Sequence, residues 1–189
     1  MAKYLLISGS PRKGNTDFVL SRIFESIEGE KELIFLRDKN IGHCIGCLSC
    51  HTKPQCAIND DMTEIRQKML SADMIIIGTP NYFDNVSGLL KDFIDRTHPF
   101  YKAALLKDKK LILIMVGGGK AEGSKEFLDV VMSGFVKYLG LDLMGSYCFQ
   151  ALYSNDLRQN PESNKQVEEI IKTIKIASLK EGREDLNLP

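Results

Sequence analysis

Four of the five cysteines in this 189-residue chain lie close together. Cys44, Cys47, Cys50 and Cys56 have the spacing C-x2-C-x2-C-x5-C, whereas Cys148 stands alone. A disulfide framework is not expected in a cytosolic chain of this length, and such short gaps also argue against one. Consecutive two-residue gaps let three thiolates converge on one centre, which is the spacing used by cuboidal iron–sulfur clusters. The segment therefore predicts metal binding or redox chemistry.

Two other interpretations of the cysteines stay open. His43 and His51 lie among them, and a zinc ion needs only four ligands from cysteine or histidine. The histidines could equally be exposed loop residues, with thiols that are free or form a reversible disulfide. A cluster, zinc, and free or redox-active thiols are thus three hypotheses for one segment. Cys148 lies in an apolar run and is predicted to be a small buried side chain.

A loop rich in hydroxyls and glycines follows the first apolar run and spans residues 8–16. Its Ser10, Asn15 and Thr16 side chains can donate hydrogen bonds to phosphate oxygens, and Arg12 adds a forked cationic donor. Free backbone N–H groups at a helix N-terminus also favour an anion. The spacing matches neither the Walker pattern nor G-x-G-x-x-G. The loop predicts a phosphate site, whereas a plain turn with a helix cap would explain Asn15 or Thr16 alone.

Two further loops follow later apolar runs. The first, residues 78–88, places Asn81, Tyr82 and Phe83 directly after a buried strand. A flat ligand could lie against the two rings with Asn81 at its polar edge, or the rings could pack under the next helix or against a partner subunit. The second loop contains Gly117–Gly119, where backbone can approach a ligand closely or form a flexible turn.

The elements that must position these loops follow from apolar periodicity. Apolar runs occur at residues 4–7, 32–36, 72–77, 111–116 and 141–149. Runs that are apolar on both faces suit strands of a parallel sheet covered on both sides. Helical patterns lie between them, so the strict alternation predicts an α/β flavodoxin-like three-layer sandwich with a five-stranded parallel sheet in the order 2-1-3-4-5. In that order the three loops meet at the carboxyl ends of the strands.

The remaining composition narrows the class. The chain has 25 basic and 25 acidic residues, and this lack of basic excess argues against a nucleic-acid partner. No apolar run approaches the ~20 residues that span a bilayer, and the start lacks a signal-peptide shape. We expect a cytoplasmic protein with no membrane partner and one domain over residues 1–189. The cysteine-rich loop covers about 38–59, and a polar tail begins at Glu181. No acid–base dyad is visible, so no catalytic side chain is predicted.

The loop motifs resemble a known family. Residues 8–16, residues 79–82 and the run Gly-Leu-Leu-Lys-Asp-Phe-Ile-Asp-Arg at 88–96 are similar to the NAD(P)H-dependent FMN reductases of the flavodoxin superfamily. The resemblance implies bound FMN. Its phosphate would be held by Ser10, Arg12, Asn15 and Thr16. Its isoalloxazine would be bordered by Pro80, Asn81, Tyr82, Phe83, Gly117, Gly118 and Gly119.

The cysteine segment is similar to that of the iron–sulfur flavoprotein branch of this family. That resemblance implies a 4Fe–4S cluster on Cys44, Cys47, Cys50 and Cys56. The implied function is an FMN-dependent oxidoreductase that takes electrons from NAD(P)H as co-substrate, or from a ferredoxin-like carrier. It would pass them to a quinone or another small acceptor. The alternative is a non-enzymatic electron carrier that relays electrons to or from ferredoxin. The resemblance also implies a homodimer or homotetramer.

Overall fold

The predicted sheet is present with the predicted strand order. The structure, a computed structural model, describes the backbone of residues 1–184 and the side chains of residues 1–178. All strand pairs are parallel, in the order β2-β1-β3-β4-β5. The strands are β1 (Lys3–Ser8), β2 (Glu30–Phe35), β3 (Met74–Pro80), β4 (Lys110–Gly117) and β5 (Asp142–Gln150). This confirms the fold predicted from the apolar runs.

The apolar runs form strands because both faces of the sheet are covered. Leu5 and Ile7 of β1 point into one apolar cluster, and Leu6 between them points into the other. Ile75, Ile76 and Ile77 of β3 alternate in the same way. Alternate side chains of a strand point to opposite faces, so a continuous apolar run feeds both cores.

Six helices cover the two faces of the sheet in the described part of the chain. They are α1 (Asn15–Ser26), α2 (Met62–Ser71), α3 (Gly88–Arg96), α4 (Ala121–Leu139), α5 (Asp156–Gln159) and α6 (Pro161–Glu184). Helices α1, α5 and α6 contribute to one cluster, and α2, α3 and α4 to the other. The short α5 was not predicted. Helix α6 runs to Glu184, so residues 181–184 of the predicted polar tail continue this helix, and residues 185–189 lie outside the described residues.

The carboxyl ends of β1, β3 and β4 bring the three predicted loops to one edge. Gly9 N donates to Gly78 O at 2.8 Å, and Asn81 N donates to Val116 O at 2.8 Å. These bonds extend the ladder beyond the strand ends and fix the loops side by side. The long segment between β2 and α2 contains only short 3-10 turns, at Leu36–Asp38 and Ser49–His51, as expected for a cysteine-rich loop. No helix among the described residues is long and apolar enough to cross a membrane.

Candidate functional site

The three loops line one crevice of about 180 Å³ at the carboxyl edge of the sheet. Pockets that enclose a ligand of drug size have about 300–1,000 Å³, so a larger ligand would protrude from this one. The predicted residues that line it are Ser10, Arg12, Asn15, Thr16, Pro80, Asn81, Tyr82, Gly117 and Gly118. Gly14, Val116, Ala151 and Leu152 also line it and were not predicted. Phe83 and Gly119 are not among the lining residues.

The N-terminus of α1 opens into this crevice. Gly14 is the N-cap residue and has no side chain that could satisfy the first N–H groups of the helix. The Asn15 side chain does not serve them either, because its Nδ2 donates to Tyr153 O at 2.7 Å and its Oδ1 accepts from Leu157 N at 3.4 Å. Asn15 thus ties the segment after β5 to α1. The unpaired N–H groups and the helix dipole favour an anion at this end of the helix.

Two residues that the sequence reasoning missed hold the first loop in shape. Asp17 accepts a hydrogen bond from Ser8 Oγ at 2.6 Å and pairs with Arg37 Nη1 at 2.8 Å. Arg37 Nη1 also donates to Ser10 O at 3.4 Å. Ser10 Oγ in turn donates to Arg12 O at 2.7 Å. Arg37 follows β2 at the same sheet edge, so the strand order was the signal that could have identified it.

The loop after β3 presents two exposed aromatic rings. Tyr82 and Asn85 exchange backbone hydrogen bonds of 3.0 and 3.1 Å around Phe83 and Asp84. Both central residues have positive φ, 52° and 56°, which is the pattern of a type I′ turn. Phe83 is fully exposed and Tyr82 is 41% exposed, so neither ring packs under the next helix. The turn holds the Phe83 ring in solvent.

The other end of this loop is fixed to the first loop by Ser87. Its Oγ accepts from Leu90 N at 3.1 Å, which caps α3, and donates to Gly9 O at 2.5 Å. Gly117 allows the β4 loop to approach, since a Cβ there would lie 2.6 Å from Asn81 Cβ. A Cβ on Gly118 would lie 3.1 Å from Leu152 Cδ1. The absence of a side chain is therefore a packing requirement at Gly117, whereas at Gly118 the exposed Leu152 side chain could give way.

All four clustered cysteines line a second cavity of about 110 Å³. The chain turns between them at Gly46 and Leu48, which have positive φ of 64° and 58°. All four thiols are free. A hydrogen bond with Ser49 lowers the pKa of Cys47, whereas burial raises the pKa of Cys50. All four cysteines thus line one cavity, but no three of their sulfur atoms lie within 4.8 Å of one another, so their convergence on one centre stays a prediction.

A buried ion pair closes the base of the cysteine-rich loop. Arg96 of α3 contacts both Asp60 oxygens, at 2.6 and 2.9 Å, and both side chains are almost fully buried. Arg96 also donates to Gly42 O at 2.7 Å and Ile58 O at 3.2 Å. Burial opposes ionisation of Asp60, but hydrogen bonds from Arg96 and Gly42 N outweigh it and lower the pKa of Asp60. The two ends of the loop are thereby held together.

A second buried arginine lies beside the cysteines without a comparable partner. Arg66 of α2 is 6% exposed, and its Nε and Nη1 atoms are buried without hydrogen-bond partners. Burial lowers the pKa of Arg66, and the charges of Cys56 and Asp60 oppose that shift. An unpaired buried charge costs several kcal/mol, so this position favours an anion nearby. Thiolates or an anionic cluster on the cysteines would supply one.

The three histidines have different surroundings. His43 is exposed, its Nδ1 lies 2.6 Å from Asp92 Oδ1, and this hydrogen bond and the charge of Asp92 raise the pKa of His43. His98 Nδ1 lies 3.4 Å from Cys50 Sγ, and the His98 ring stacks on His51 with centroids 5.0 Å apart. These two partners of His98 could not be identified from the sequence, because they lie in a loop about 50 residues away. Cys148 is buried in β5, as predicted, and burial raises its pKa to about 11.

Comparison with known proteins identifies the family. The sequence profile described as NADPH-dependent FMN reductase matches residues 2–149. The chain belongs to this family. An iron-sulfur flavoprotein of Archaeoglobus fulgidus is 38% identical over 141 residues, covering 73% of this chain and 69% of that protein. An iron-sulfur flavoprotein of Clostridioides difficile is 32% identical over 177 residues, covering 90% of this chain and 75% of that protein.

Solved structures support the fold of this FMN reductase family member. An FMN-dependent NADH-azoreductase from Bacillus anthracis in complex with FMN has a TM-score of 0.67 at 24% identity, covering 91% of this chain and 99% of that one. A flavodoxin, WrbA-like protein from Agrobacterium tumefaciens has a TM-score of 0.65 at 16% identity, covering 95% and 97%. The flavodoxin-like fold and the resemblance to FMN reductases of the iron–sulfur flavoprotein branch are both confirmed. Membership makes the chain an oxidoreductase of an FMN-dependent family.

The donor set of the crevice fits the FMN of this family, and that of the cysteine cavity fits the cluster that the resemblance to iron–sulfur flavoproteins implies. The uncapped N-terminus of α1 and the exposed Arg12 at the crevice mouth suit a phosphate. Four cysteines, two of which interact electrostatically with the buried Arg66 guanidinium, suit an anionic iron–sulfur cluster. A four-cysteine zinc site would need sulfur atoms about 3.8 Å apart. Among the described side chains, only Cys50, His51 and His98 have ligand atoms that all lie within 4.8 Å of one another.

Proposed function

We propose that this protein is an FMN-dependent oxidoreductase that takes electrons from NAD(P)H, or from a ferredoxin-like carrier, and delivers them to a quinone or another small acceptor. A 4Fe–4S cluster on Cys44, Cys47, Cys50 and Cys56 belongs to this proposal. The observation that carries it is the meeting of the three predicted loops in one crevice at the uncapped N-terminus of α1.

The residues of the crevice divide into two groups by what they offer FMN. The first-turn N–H groups of α1, the Ser10 hydroxyl and the Arg12 guanidinium bind the phosphate. Thr16 lies in the same turn and adds its hydroxyl, while Asn15 acts through its backbone N–H and through the bond to Tyr153. The second group borders the rings, with Pro80, Asn81, Tyr82 and Phe83 on one side and Gly117, Gly118 and Gly119 on the other.

FMN, when bound, supplies the ability to accept a hydride and to release its electrons singly or in pairs. The protein contributes position and exposure. The crevice is too small to enclose three fused rings, so the reactive part of the ligand stays accessible to a second substrate. Tyr82 and Phe83 offer apolar faces against which a nicotinamide or a quinone could stack. The proposed reaction does not require a side chain of the protein to transfer a proton.

The cysteine cavity supports the cluster part of the proposal. Its four thiols line one space, and the Arg96–Asp60 pair keeps the loop closed around it. Arg66 offers a buried positive charge to a group that carries negative charge. These three features together favour a cluster over free thiols.

The decisive experiment for the enzymatic proposal is anaerobic reduction of the FMN-loaded protein by NADPH and, separately, by NADH. We expect the yellow flavin absorbance to bleach with at least one of them and to return when a quinone is added. Failure of both donors to bleach a fully FMN-loaded protein would contradict the enzymatic form of the proposal.

A non-enzymatic electron carrier is the second candidate, and the shared cavity of the four cysteines is the observation that favours it. It predicts that reduced ferredoxin bleaches the flavin while NADPH and NADH do not. It also predicts about four irons and four acid-labile sulfides per chain after anaerobic purification. The single domain, the cytoplasmic location and the homodimer or homotetramer stay predictions from the sequence.

A further inference from the structure

We infer that Cys50, His51 and His98 form a binding site for a zinc-type divalent ion in protein that lacks a cluster. One ligand atom from each of these residues lies within 4.8 Å of the others. Cysteine thiolate and imidazole are the ligands that Zn²⁺ prefers. This ligand set shares only Cys50 with the four cysteines.

One separation in the structure comes close to that of a tetrahedral zinc site. With Zn–S of about 2.3 Å and Zn–N of about 2.0–2.1 Å, a sulfur and a nitrogen ligand lie about 3.6 Å apart. Cys50 Sγ and His98 Nδ1 are 3.4 Å apart. Two nitrogen ligands of one zinc ion would lie about 3.3 Å apart, and because the ion lies in the plane of each ring that binds it, the two stacked rings must rotate about their side-chain bonds to share it. Three protein ligands leave the fourth position to water.

A second observation points to a missing ligand at this place. His51 Nε2 is buried and has no hydrogen-bond partner among the described residues. A buried imidazole nitrogen without a partner carries a desolvation penalty that a metal ion would remove. His43 provides the contrast, since it is paired with Asp92 and lies outside the cluster of ligand atoms.

The backbone holds the two histidines in place before any ion binds. His51 ends the 3-10 turn Ser49–His51, and His98 begins the 3-10 turn His98–Phe100 after α3. The two rings stack with planes only 8° apart. Lys102 Nζ donates to His51 O at 2.8 Å, which ties the first turn to the second. The backbone positions of both histidines are therefore set before the ion binds, and only their side-chain torsions must change, which limits the entropy lost on binding.

Zinc and an iron–sulfur cluster would exclude each other because both require the Cys50 thiolate. On zinc binding, Cys50 forms the Zn–S bond and releases its thiol proton to solvent, and nothing is oxidised or reduced. This competition rests on the cluster in the proposed function, whereas the zinc site itself does not. Zinc-loaded protein would keep the FMN crevice, which lies at the loops of β1, β3 and β4.

The test uses the full chain, freed of iron and flavin and kept reduced, titrated without oxygen with Co²⁺ and then Zn²⁺. We expect about one Co²⁺ per chain with the intense visible bands of tetrahedral cobalt and a thiolate-to-cobalt charge-transfer band, both displaced by Zn²⁺. His51→Ala, His98→Ala and Cys50→Ser should each weaken Zn²⁺ binding by on the order of 100-fold or more, because even loss of a partner of a ligand costs 10–100-fold. His98→Asn guards against a folding defect of the alanine variant.

Matched controls separate this site from a four-cysteine site. Cys47→Ser removes an exposed thiol of the same loop, and His43→Ala removes the histidine outside the ligand cluster. Both should bind Zn²⁺ as the unchanged protein does. Binding that survives loss of either His51 or His98 and disappears with Cys47→Ser would overturn the inference, as would the absence of tetrahedral cobalt bands. Prior addition of Zn²⁺ should block iron and sulfide uptake in the unchanged chain but not in His98→Ala, and equal uptake would contradict the competition.

Discussion

At the scale of single residues, the burial of the Arg66 guanidinium carries a free-energy cost that is hard to explain without a bound anion. It is almost fully buried beside the cysteines, with two nitrogens unpaired. We predict that Arg66→Met leaves cluster-free protein at least as stable as the unchanged chain, by up to about 4 kcal/mol more, because an apolar side chain removes the buried charge. The same variant should retain less iron after anaerobic reconstitution.

Urea unfolding of the cluster-free protein and an iron assay of the reconstituted protein measure the two effects of Arg66→Met. Opposite signs are the signature of a charge kept for a bound anion. A large loss of stability in the cluster-free variant would show that Arg66 is satisfied within the chain itself.

Asp60 is predicted to be the residue on which the cysteine-rich loop depends most. Asp60→Asn leaves Arg96 buried without its counter-charge, and this should cost about 3–5 kcal/mol of unfolding free energy. The control is Asp95→Asn on the same helix as Arg96, which breaks an exposed pair with Lys91 and should cost no more than about 0.5 kcal/mol. Equal losses of unfolding free energy in the two variants would contradict the stabilisation of the loop by the Arg96–Asp60 pair.

The contribution of the Asp60 carboxylate to the stability of the protein depends on pH in a defined way. Because the pKa of Asp60 is lowered in the folded protein, its contribution is present above the unfolded pKa of about 3.9 and is lost as pH falls through the folded pKa. The stability difference between the unchanged protein and Asp60→Asn should therefore be constant from pH 7 to about pH 5 and shrink below about pH 4. Urea unfolding across this range measures it, and a difference that grows on acidification would refute the argument.

At the level of the elements, the turn Tyr82–Asn85 is strained, and its backbone conformation exposes the Phe83 ring. Two successive L residues with positive φ cost about 1–2 kcal/mol each, and type I′ turns prefer Asn-Gly. Replacing Phe83-Asp84 by Asn-Gly should raise the unfolding free energy by about 1 kcal/mol or more. It should also weaken FMN binding if the ring borders the flavin. Lower stability of the double variant would show that the turn is not strained.

The close approach of the β3 and β4 loops gives a second prediction for the elements. Gly117→Ala places a Cβ 2.6 Å from Asn81 Cβ, so the two loops must separate, at a cost of about 1–3 kcal/mol and a distorted crevice. Gly123→Ala in α4 is the matched control, because a Cβ there meets nothing within 4 Å and the residue lies outside the crevice. FMN titration should show a large loss of affinity in Gly117→Ala and near-normal affinity in the control variant.

Substitutions of the neighbouring residues Arg12 and Lys13 should have different effects on FMN binding. Arg12 lines it and Lys13 does not. A charge-assisted hydrogen bond is worth about 1.5–3 kcal/mol, so Arg12→Ala should weaken FMN binding by about 10- to 100-fold, whereas Lys13→Ala should have little effect. Calorimetric titration of both variants decides this, and similar losses would indicate only a general electrostatic attraction.

For the whole molecule, the sequence was sufficient for the fold because one signal was repeated five times. Apolar runs separated by helical periodicity specify buried parallel strands, and the loops at their carboxyl ends then share an edge. The close spacing of the four cysteines also indicated that they would lie near one another, and all four line one cavity. The four-residue helix α5 was missed because it is too short to show a 3.6-residue period.

The features of the site that could not be predicted from the sequence depend mostly on contacts between distant segments of the chain. The Arg96–Asp60 pair joins residues 36 positions apart, and Asn15 bonds to Tyr153 across 138 positions. The exposure of Phe83 depends on two backbone angles that phenylalanine and aspartate rarely adopt. His98 acquires its partners only when the cysteine-rich loop folds against α3. Pattern reasoning identifies residue types, whereas these arrangements need the tertiary structure.

The most direct measurement is a calorimetric titration of flavin-free protein with FMN and, in parallel, with riboflavin. FMN should bind with a stoichiometry of one per chain and at least about 100-fold more tightly than riboflavin, because charge-assisted hydrogen bonds from α1 and Arg12 require the phosphate. Equal affinities for FMN and riboflavin, or no binding of FMN, would contradict the proposed phosphate site and with it the FMN crevice.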